Sequence, residues 1–469
     1  MIAKNAVLKS ISLLGFVLVL LLIFSLAGHL MSVLVLFWAA AACFIWASVK
    51  FSIKTVYFCA GVFLLSFLFQ TVYSSQVRIL GETDLQFYYE SAKSMAENSF
   101  RLESMYNATF PGTVTYPSIL AVLFRVFGAR RILPVLLNQA VMSATIVLVY
   151  LFVKHRRSHL SGAVCAMLLA THPFVIIYSN TTNAEILFGA CILWSFITYY
   201  FAHVKYLNSG AKLWFILPAV FLGLSLFFRP MGLIMLVALL LHSLVFSKIK
   251  LLDNLIICPI LIAGFLLFNF LCGAIVKGVT SYDSPGSAYG WNLYVGASEK
   301  GQWNPEDAAA FGRVSATASS PTEVQSHFAG EGFARYREIG SDIFEHGRKK
   351  MLEMNSADYM VYTTFQLTDV SEEKHELKWV EYALPIYLYY VPILILALAF
   401  CLMSFFRSFR GKSDELTILS LYTVGSFAAF VFLEVAPRYA VSYHIMFTIL
   451  AFEAALSAAG FFRNRKELS

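Results

Sequence analysis

The sequence predicts an all-α membrane protein that crosses the bilayer about twelve times. Hydrophobic residues make up 59% of the 469 residues and charged residues only 13%, which is not the composition of a soluble domain. Several apolar runs reach the roughly 18–20 residues that a membrane-spanning helix needs. The short polar connections predicted to face the cytoplasm each carry at least two basic residues, as the positive-inside rule expects. The net charge of +7 therefore follows from topology and needs no nucleic-acid partner.

The predicted spans share a length near 20 residues and a low content of charge. They are residues 10–27, 30–48, 55–74, 132–153, 160–178, 184–203, 213–228, 231–247, 254–276, 384–405, 416–433 and 439–461. This layout puts both termini in the cytoplasm and two long loops, about 75–131 and 277–383, on the outer side. The short apolar run Pro117–Phe127 must then be an interfacial or re-entrant helix, because a further span would invert every later loop.

The chain divides accordingly into five consecutive parts. They are N-terminal transmembrane helices (1–74), a first outer loop with interfacial helices (75–131), central transmembrane helices (132–276), an outer-face loop or cap (277–383), and C-terminal transmembrane helices with a cytoplasmic tail (384–469). Long loops on one face alone suggest binding or chemistry on that face.

The first outer loop contains an amphipathic segment. Thr83 and Gln86 have the spacing of a capping box, which predicts a helix with Asp84 in its first turn. Apolar side chains then recur at helical spacing, at Leu85, Tyr88, Tyr89, Ala92, Met95 and Ala96. A helix of this kind is expected to lie along the membrane surface with its apolar face down.

The second outer loop carries its own helix-start patterns. Asn304-Pro305 and Ser320-Pro321 each combine an N-cap residue with a first-turn proline and nearby acids. They predict a small cap of helices at about 305–316, 321–340 and 341–355. The preceding segment from Ser284 is rich in glycine and asparagine and is expected to form an ordered, irregular loop.

Charged residues at the predicted outer membrane edge are the candidates for function, because charge at membrane depth is costly. They are Glu82, Asp84, Arg125, Arg130, Arg131, Glu185, Arg229, Glu434 and Arg438, with Tyr439 beside the last. A carboxylate can act as a general base, and arginines bind phosphate through paired hydrogen bonds. Structural readings remain open: Asp84 could cap its helix, Arg130 and Arg131 could anchor the interface, and Glu434 with Arg438 could form a salt bridge.

Three groups of residues resemble a known family. They are Asp84-x3-Tyr88-x3-Ala92 with Tyr116-Pro117 and Phe127-Gly128, the stretch from Asn292 to Asp307 with its Gly296 and WNPED, and Glu434-x3-Arg438-Tyr439. In this order they resemble the GT-C superfamily of membrane glycosyltransferases, in particular the protein-mannosyltransferase and aminoarabinose-transferase group. The sequence departs from that group in having Leu85 after Asp84, and Ser442-Tyr443-His444 where relatives have a proline pattern.

The resemblance implies inverting transfer of a sugar from a polyprenyl-phosphate donor to a glycan, lipid or protein acceptor of the cell envelope. Asp84 would be the general base, with Glu82 as its substitute. Arg229 and Arg438, with Arg130 or Arg131, would bind the donor phosphate. The sugar or acceptor would contact side chains that are mostly aromatic: Tyr88, Tyr116, Trp291, Glu434 and Tyr439. No metal ligand is assigned, although a divalent metal stays open, and the expected location is the bacterial inner or plasma membrane with the active site outside.

Two other functions compete with this interpretation. One is a transporter or flippase of a lipid-linked saccharide, and the other is a polysaccharide polymerase or ligase that uses a lipid-diphosphate donor. Transporters often contain inverted repeats and carry charges near the membrane midplane. The sequence shows no repeat, and its charges cluster at the outer edge, so a transferase is favoured.

Overall fold

The computed structural model describes residues 29–76, 84–102, 104–355 and 372–468, and all regular secondary structure in these ranges is helical. Glu82, Thr83 and the predicted first span at 10–27 lie outside them. The helices up to the middle of the chain are α1 (His29–Lys50), α2 (Thr55–Gln76), α3 (Asp84–Glu97), α4 (Met105–Thr109), α5 (Gly112–Phe127), α6 (Ile132–Arg156), α7 (His159–Ala170), α8 (Pro173–Ser179), α9 (Ala184–Ser209), α10 (Ile216–Ser225) and α11 (Gly232–Leu241).

The later helices comprise one long apolar helix, four shorter helices and three terminal ones. They are α12 (Leu251–Thr280), α13 (Tyr289–Gly296), α14 (Pro305–Thr317), α15 (Pro321–Ile339), α16 (Ile343–Met354), α17 (Glu372–Phe409), α18 (Leu416–Phe432) and α19 (Val441–Leu468). Short 3₁₀ segments at Leu213–Phe215, Gly340–Asp342 and Pro437–Ala440, and a π-helical turn at His242–Phe246, join some of them.

Six helices in the described part of the chain are long and apolar enough to cross a membrane, which supports an integral membrane protein. They contain the segments Thr55–Val72, Ile132–Arg156, Ala184–Ser209, Leu251–Thr280, Tyr387–Phe409 and Pro437–Ala459. The number rises to seven if α7 and α8 count as one span. The predicted total of about twelve is not confirmed, since the other apolar helices there have only 10–17 residues.

The prediction of one continuous helix at 160–178 is wrong, because this segment is broken into α7 and α8, which meet at an angle of 55°. His172 adopts an extended conformation with φ −66° and ψ 125°, and Pro173 opens α8. A residue before proline is disfavoured in the helical conformation, which explains the break.

Helices α9 and α19 form the centre of the bundle. The apolar windows of these two spans are 83% and 78% buried, against 17% for the peripheral α12. Helix α9 packs against α6, α10 and α19, and α17 runs along α19. Residues near the ends of α9 and α19 are therefore held by most of the surrounding helices.

The amphipathic helix of the first long loop begins at Asp84 as predicted, but its apolar face packs on protein. Tyr88, Ala92 and Met95 are buried against α5. The Tyr88 and Tyr116 rings meet edge to face with centroids 5.4 Å apart. The expectation that this face lies on the membrane is therefore corrected, since helical periodicity shows that a face is buried without showing what covers it.

Helices α14 and α15 begin where the capping patterns placed them. The Asn304 side chain accepts a hydrogen bond from the Asp307 N–H at 2.9 Å, and the Ser320 hydroxyl accepts one from the Glu323 N–H at 3.2 Å. The Glu323 carboxylate in turn accepts hydrogen bonds from the Ser319 N–H at 2.8 Å and hydroxyl at 2.7 Å. The outer-side location of these helices stays a prediction.

The glycines of the segment before α14 predict an irregular loop, but part of this segment forms helix α13. Trp291, Tyr294 and Val295 share one face of α13 and pack against Phe311, Val324 and Phe328 of α14 and α15. The spacing i, i+3, i+4 is that of an amphipathic helix. In this segment the apolar pattern outweighs the glycines in deciding the local structure.

Candidate functional site

Three charged residues from distant parts of the chain meet at one end of the bundle. Glu185 lies in the first turn of α9, Arg229 follows α10, and Arg438 lies in the 3₁₀ turn before α19. Glu185 Oε1 accepts a hydrogen bond from Arg229 Nη2, and it lies 3.2 Å from Arg438 Nε. We refer to Glu185, Arg229 and Arg438 as the arginine–glutamate cluster.

Local structure explains the position of the Glu185 carboxylate. The Asn183 side chain caps α9 by accepting a hydrogen bond from the Glu185 N–H at 2.6 Å. A carboxylate in the first turn is stabilised by the partial positive charge of the helix N-terminus. The Glu185 side chain is only 3% exposed, whereas those of Arg229 and Arg438 are 22% and 24% exposed. The acid is therefore buried beneath two arginines that still reach solvent.

The aromatic ring of Tyr439 lies beside both guanidinium groups. The Cζ atoms of Arg229 and Arg438 are 4.8 Å and 5.2 Å from its centroid. Such cation–π contacts fix the planes of the guanidinium groups. The Tyr439 hydroxyl lies 3.5 Å from Glu434 Oε1, so Glu434 borders the cluster through this ring.

A chain of aromatic rings connects the cluster to the first long loop. The buried Tyr116 ring contacts both Tyr88 of α3 and Phe228, with ring centroids 5.4 Å and 6.1 Å away. Thr115 donates a hydrogen bond to the Phe227 carbonyl at 2.5 Å. Within the described residues the Tyr116 hydroxyl has no hydrogen-bond partner. These contacts hold α3 and α5 beside the arginines.

Asp84 is the first residue of α3, one turn before Tyr88. The Tyr88 ring contacts Tyr116, which in turn contacts Phe228 next to Arg229. The backbone of Asp84 is thus near the cluster, but its side chain and the whole of Glu82 lie outside the described residues. Their assignment as bases stays a prediction.

The electrostatics of the cluster favour an anion. Within the cluster, two guanidinium groups and the Glu185 carboxylate leave a net charge of +1, and the Glu434 carboxylate lies at its border beside Tyr439. Arg229 Nε has no hydrogen-bond partner among the described residues. Arginine N–H groups that are already oriented by a carboxylate and an aromatic ring can bind a phosphate oxygen at little further entropic cost.

Other predicted site residues lie apart from the cluster. Arg130 and Arg131 are exposed before α6, and the Arg131 guanidinium lies over Tyr89, 5.7 Å from its centroid. Trp291 is buried in the aromatic packing of the cap, where its ring meets Phe311 and Phe328. None of these three side chains contacts the arginine–glutamate cluster in the part of the chain that the structure describes.

Two residues near the site had no specific role in the sequence prediction. Glu185 was recognised only as one charge among several, because its partners are remote in sequence. Lys350 of α16 is fully buried, and its Nζ donates to the carbonyls of Gly296 and Val431 at 2.7 Å and 3.1 Å. Burial lowers the pKa of Lys350 to about 7, partly opposed by the negative charge of Glu434.

Gly296 allows the cap to approach the turn that carries Glu434. A Cβ atom at this position would lie 2.5 Å from the Phe432 carbonyl oxygen and 2.6 Å from the Leu433 carbonyl carbon. The Glu434 N–H donates to the Asn292 carbonyl at 2.7 Å across the same contact. A side chain here would separate the cap from the candidate site.

Comparisons with known proteins show similarities in sequence and in fold. Residues 113–272, from α5 into α12, match the model of the family described as dolichyl-phosphate-mannose-protein mannosyltransferase. No curated protein sequence matches the chain. The crystal structure of the Archaeoglobus fulgidus oligosaccharyltransferase in the apo form is 14% identical, with a TM-score of 0.50, over 88% of this chain and 52% of that chain. The chain thus spans about half the length of that protein.

Two further solved structures are similar at lower scores. The Archaeoglobus fulgidus oligosaccharyltransferase AglB with an inhibitory peptide and a dolichol-phosphate is 14% identical over 88% of this chain and 52% of that chain, with a TM-score of 0.43. ArnT from Cupriavidus metallidurans bound to undecaprenyl phosphate is 12% identical over 84% of this chain and 77% of that chain, with a TM-score of 0.37. The family match over residues 113–272 and the fold shared with the apo enzyme confirm the predicted resemblance to the GT-C superfamily of membrane glycosyltransferases.

Proposed function

We propose that this protein transfers a sugar from a polyprenyl-phosphate donor to a glycan, lipid or protein acceptor of the cell envelope. The observation that carries the proposal is the pair of arginines, Arg229 and Arg438, joined by the buried Glu185 beside α3. The matched family model supports it, because its description names a lipid-phosphate sugar as the donor.

The charge of the cluster suits this donor class. A polyprenyl-phosphate sugar is a phosphodiester with one negative charge, and the cluster has an excess of one positive charge. When the sugar leaves, the lipid phosphate becomes a monoester and gains negative charge. Arginine donors aimed at that phosphate therefore stabilise the transition state more than the bound donor.

Asp84 is proposed as the general base. Its carboxylate removes the proton from the acceptor hydroxyl as the hydroxyl oxygen attacks the anomeric carbon. The bond from that carbon to the phosphate oxygen breaks, the polyprenyl phosphate leaves with the bonding electron pair, and the anomeric configuration inverts. The proposal is supported by the position of Asp84 one turn before Tyr88, and Glu82 is the substitute base.

The reaction is placed on the outer face of the membrane. The basic residues of the short loops predict cytoplasmic termini, which puts Glu185, Arg229 and Arg438 at the outer ends of their spans. Tyr88, Tyr116 and Tyr439 surround the arginines and are proposed to contact the sugar, while Glu434 is proposed to orient Tyr439 or the acceptor.

The test uses purified full-length protein in lipid, envelope extract as the source of acceptor, and a panel of radiolabelled polyprenyl-phosphate sugars. Wild type is compared with Asp84→Asn and with the matched control Glu90→Gln, which changes an exposed acid on the same helix. Wild type and the control are expected to release sugar from the lipid, and Asp84→Asn is not.

Other outcomes identify the competing functions. Release by a folded Asp84→Asn protein at the wild-type rate would remove Asp84 as the base, and Glu82→Gln would then test the substitute. Transport is indicated if wild type moves labelled lipid between leaflets but consumes no donor. Consumption restricted to lipid-diphosphate sugars would indicate a polymerase or ligase.

A further inference from the structure

A polar cavity lies at the end of the bundle opposite to the arginine–glutamate cluster. It has a volume of about 400 Å³ and is lined by His155, Arg156, Arg157, Tyr200, Arg407 and Asp414. Tyr200 and Glu185 are both on α9, and the rise of an α-helix separates them by roughly 22 Å along its axis. The cavity is therefore distinct from the candidate active site.

Buried acids hold two of the arginines in the cavity wall. Glu453 of α19 is 1% exposed, and its Oε2 accepts hydrogen bonds from Arg157 Nε at 3.1 Å and Nη2 at 2.5 Å. Arg156 lies 3.3 Å from Asp414, 3.2 Å from Glu415 and 3.7 Å from Glu453. These bonds orient both guanidinium groups, and the three carboxylates balance their charge.

Exposed basic side chains lie at the mouth of the cavity. The Arg407 guanidinium is exposed and makes no ion pair or hydrogen bond within the described residues. Arg410 and Lys412 follow it in the exposed turn after α17. Arg157 is 43% exposed despite its pairing with Glu453. His155 contacts the Tyr200 hydroxyl through Nδ1 at 2.7 Å, so its Nε2 carries the proton when Tyr200 donates.

The outer surface of α17 beside this mouth is apolar. Leu402, Phe406 and Phe409 are 62%, 66% and 86% exposed. They belong to a helix that is long and apolar enough to span a membrane. Exposed aromatic and aliphatic side chains at the end of such a helix face lipid near the head-group level. The cavity therefore opens where basic side chains and lipid-facing side chains meet.

We propose that this cavity binds the phosphate ester of an anionic membrane phospholipid in the leaflet opposite to the candidate active site. Arg407 and Arg157 donate hydrogen bonds to the phosphate oxygens, and His155 Nε2 adds a third donor. The acyl chains lie along Leu402 and Phe406. Because the wall comes from α6, α9 and α17, a lipid bound here joins helices that are distant in sequence.

The test measures lipid binding to the full-length protein in detergent by native mass spectrometry. Phosphatidylglycerol and phosphatidylcholine with identical acyl chains are added to wild type, to Arg407→Gln and to the control Arg313→Gln. Arg313 is an exposed arginine of α14 in the cap. We expect wild type to bind phosphatidylglycerol at least tenfold more tightly than phosphatidylcholine. Arg407→Gln should weaken phosphatidylglycerol binding about tenfold, since it removes one charge-assisted contact, and Arg313→Gln should leave it unchanged.

Soluble competitors distinguish a lipid from a free phosphate ester. Glycerol 3-phosphate and inorganic phosphate should displace phosphatidylglycerol only weakly if the acyl chains contribute. Equal affinity for a soluble phosphate and for the lipid, lost together in Arg407→Gln, would overturn the lipid assignment. Equal binding of both lipids, or an unaltered affinity in Arg407→Gln, would overturn the site itself. The substitution removes no side-chain hydrogen bond or ion pair among the described residues, and a thermal unfolding curve checks that the variant is folded.

Discussion

Replacing Arg229 by alanine tests the proposed phosphate contact directly. The substitution removes one of the two guanidinium groups that lie against Glu185, together with a cation–π contact to Tyr439. A hydrogen bond from a charged donor contributes about 1.5–3 kcal/mol. Since 1.4 kcal/mol is a factor of ten in affinity, Arg229→Ala should raise the Kd for a polyprenyl phosphate roughly 10- to 100-fold.

The same substitution should lower the free energy of unfolding, but by less than a change that leaves a buried charge without any partner. Removing one partner of a buried ion pair typically costs about 3–5 kcal/mol. Glu185 keeps Arg438 at 3.2 Å and the N-terminus of α9, so we expect a loss of about 1–3 kcal/mol in the free energy of unfolding. The variant should therefore fold and show a lower melting temperature.

The assay is equilibrium binding of a short-chain prenyl phosphate to purified protein in detergent, with a thermal unfolding curve for each variant. Arg131→Ala is the matched control, because Arg131 is exposed and lies outside the cluster. Its Kd should equal that of wild type. An unchanged Kd in a folded Arg229→Ala protein would refute the phosphate contact, and a loss confined to Arg131→Ala would move the phosphate to the start of α6.

Two further predictions concern the cap. Gly296→Ala should destabilise the protein by about 1–3 kcal/mol, because the new Cβ would lie 2.5 Å from the Phe432 carbonyl oxygen. The control Gly312→Ala should be neutral or stabilising, because a Cβ there would have nothing within 4 Å. A lower melting temperature for Gly312→Ala than for Gly296→Ala would contradict this prediction. Burial lowers the pKa of Lys350 to about 7, with Glu434 opposing, so the unfolded chain binds more protons from about pH 7 to about pH 10.4. The free energy of unfolding should therefore rise over that range by up to about 1.4 kcal/mol per pH unit. Lys350→Met should flatten the rise in melting temperature between pH 7 and 9. An equal slope of melting temperature against pH in wild type and variant would disprove a buried, titrating Lys350.

Local features of the fold could be predicted from the sequence because they depend on neighbouring residues. The Asn304-Pro305 and Ser320-Pro321 pairs marked the starts of α14 and α15, since a capping side chain acts within one helical turn. The long apolar runs likewise marked most of the helices. The break at His172 was missed because the apolar pattern continues through it.

The site could be predicted only in part because its geometry depends on distant contacts. Arg229 and Arg438 were candidates as isolated charges in apolar surroundings, and the structure joins them through Glu185. No local pattern showed that Glu185 would be their shared partner. Trp291 was chosen because it is aromatic, yet a tryptophan packed in a core and one lining a sugar site have the same local sequence.

The pairing of Glu185 with Arg438 has a consequence for how the protein is made. More than half of the chain lies between these two residues, and Arg438 directly precedes the last helix. During synthesis, the buried Glu185 carboxylate of α9 can therefore pair only with Arg229 until Arg438 and α19 have been made. A chain that stops before Arg438 would lack both the second guanidinium group and α19, one of the helices that pack against α9, so competence for binding the donor should arise only after both have been synthesised.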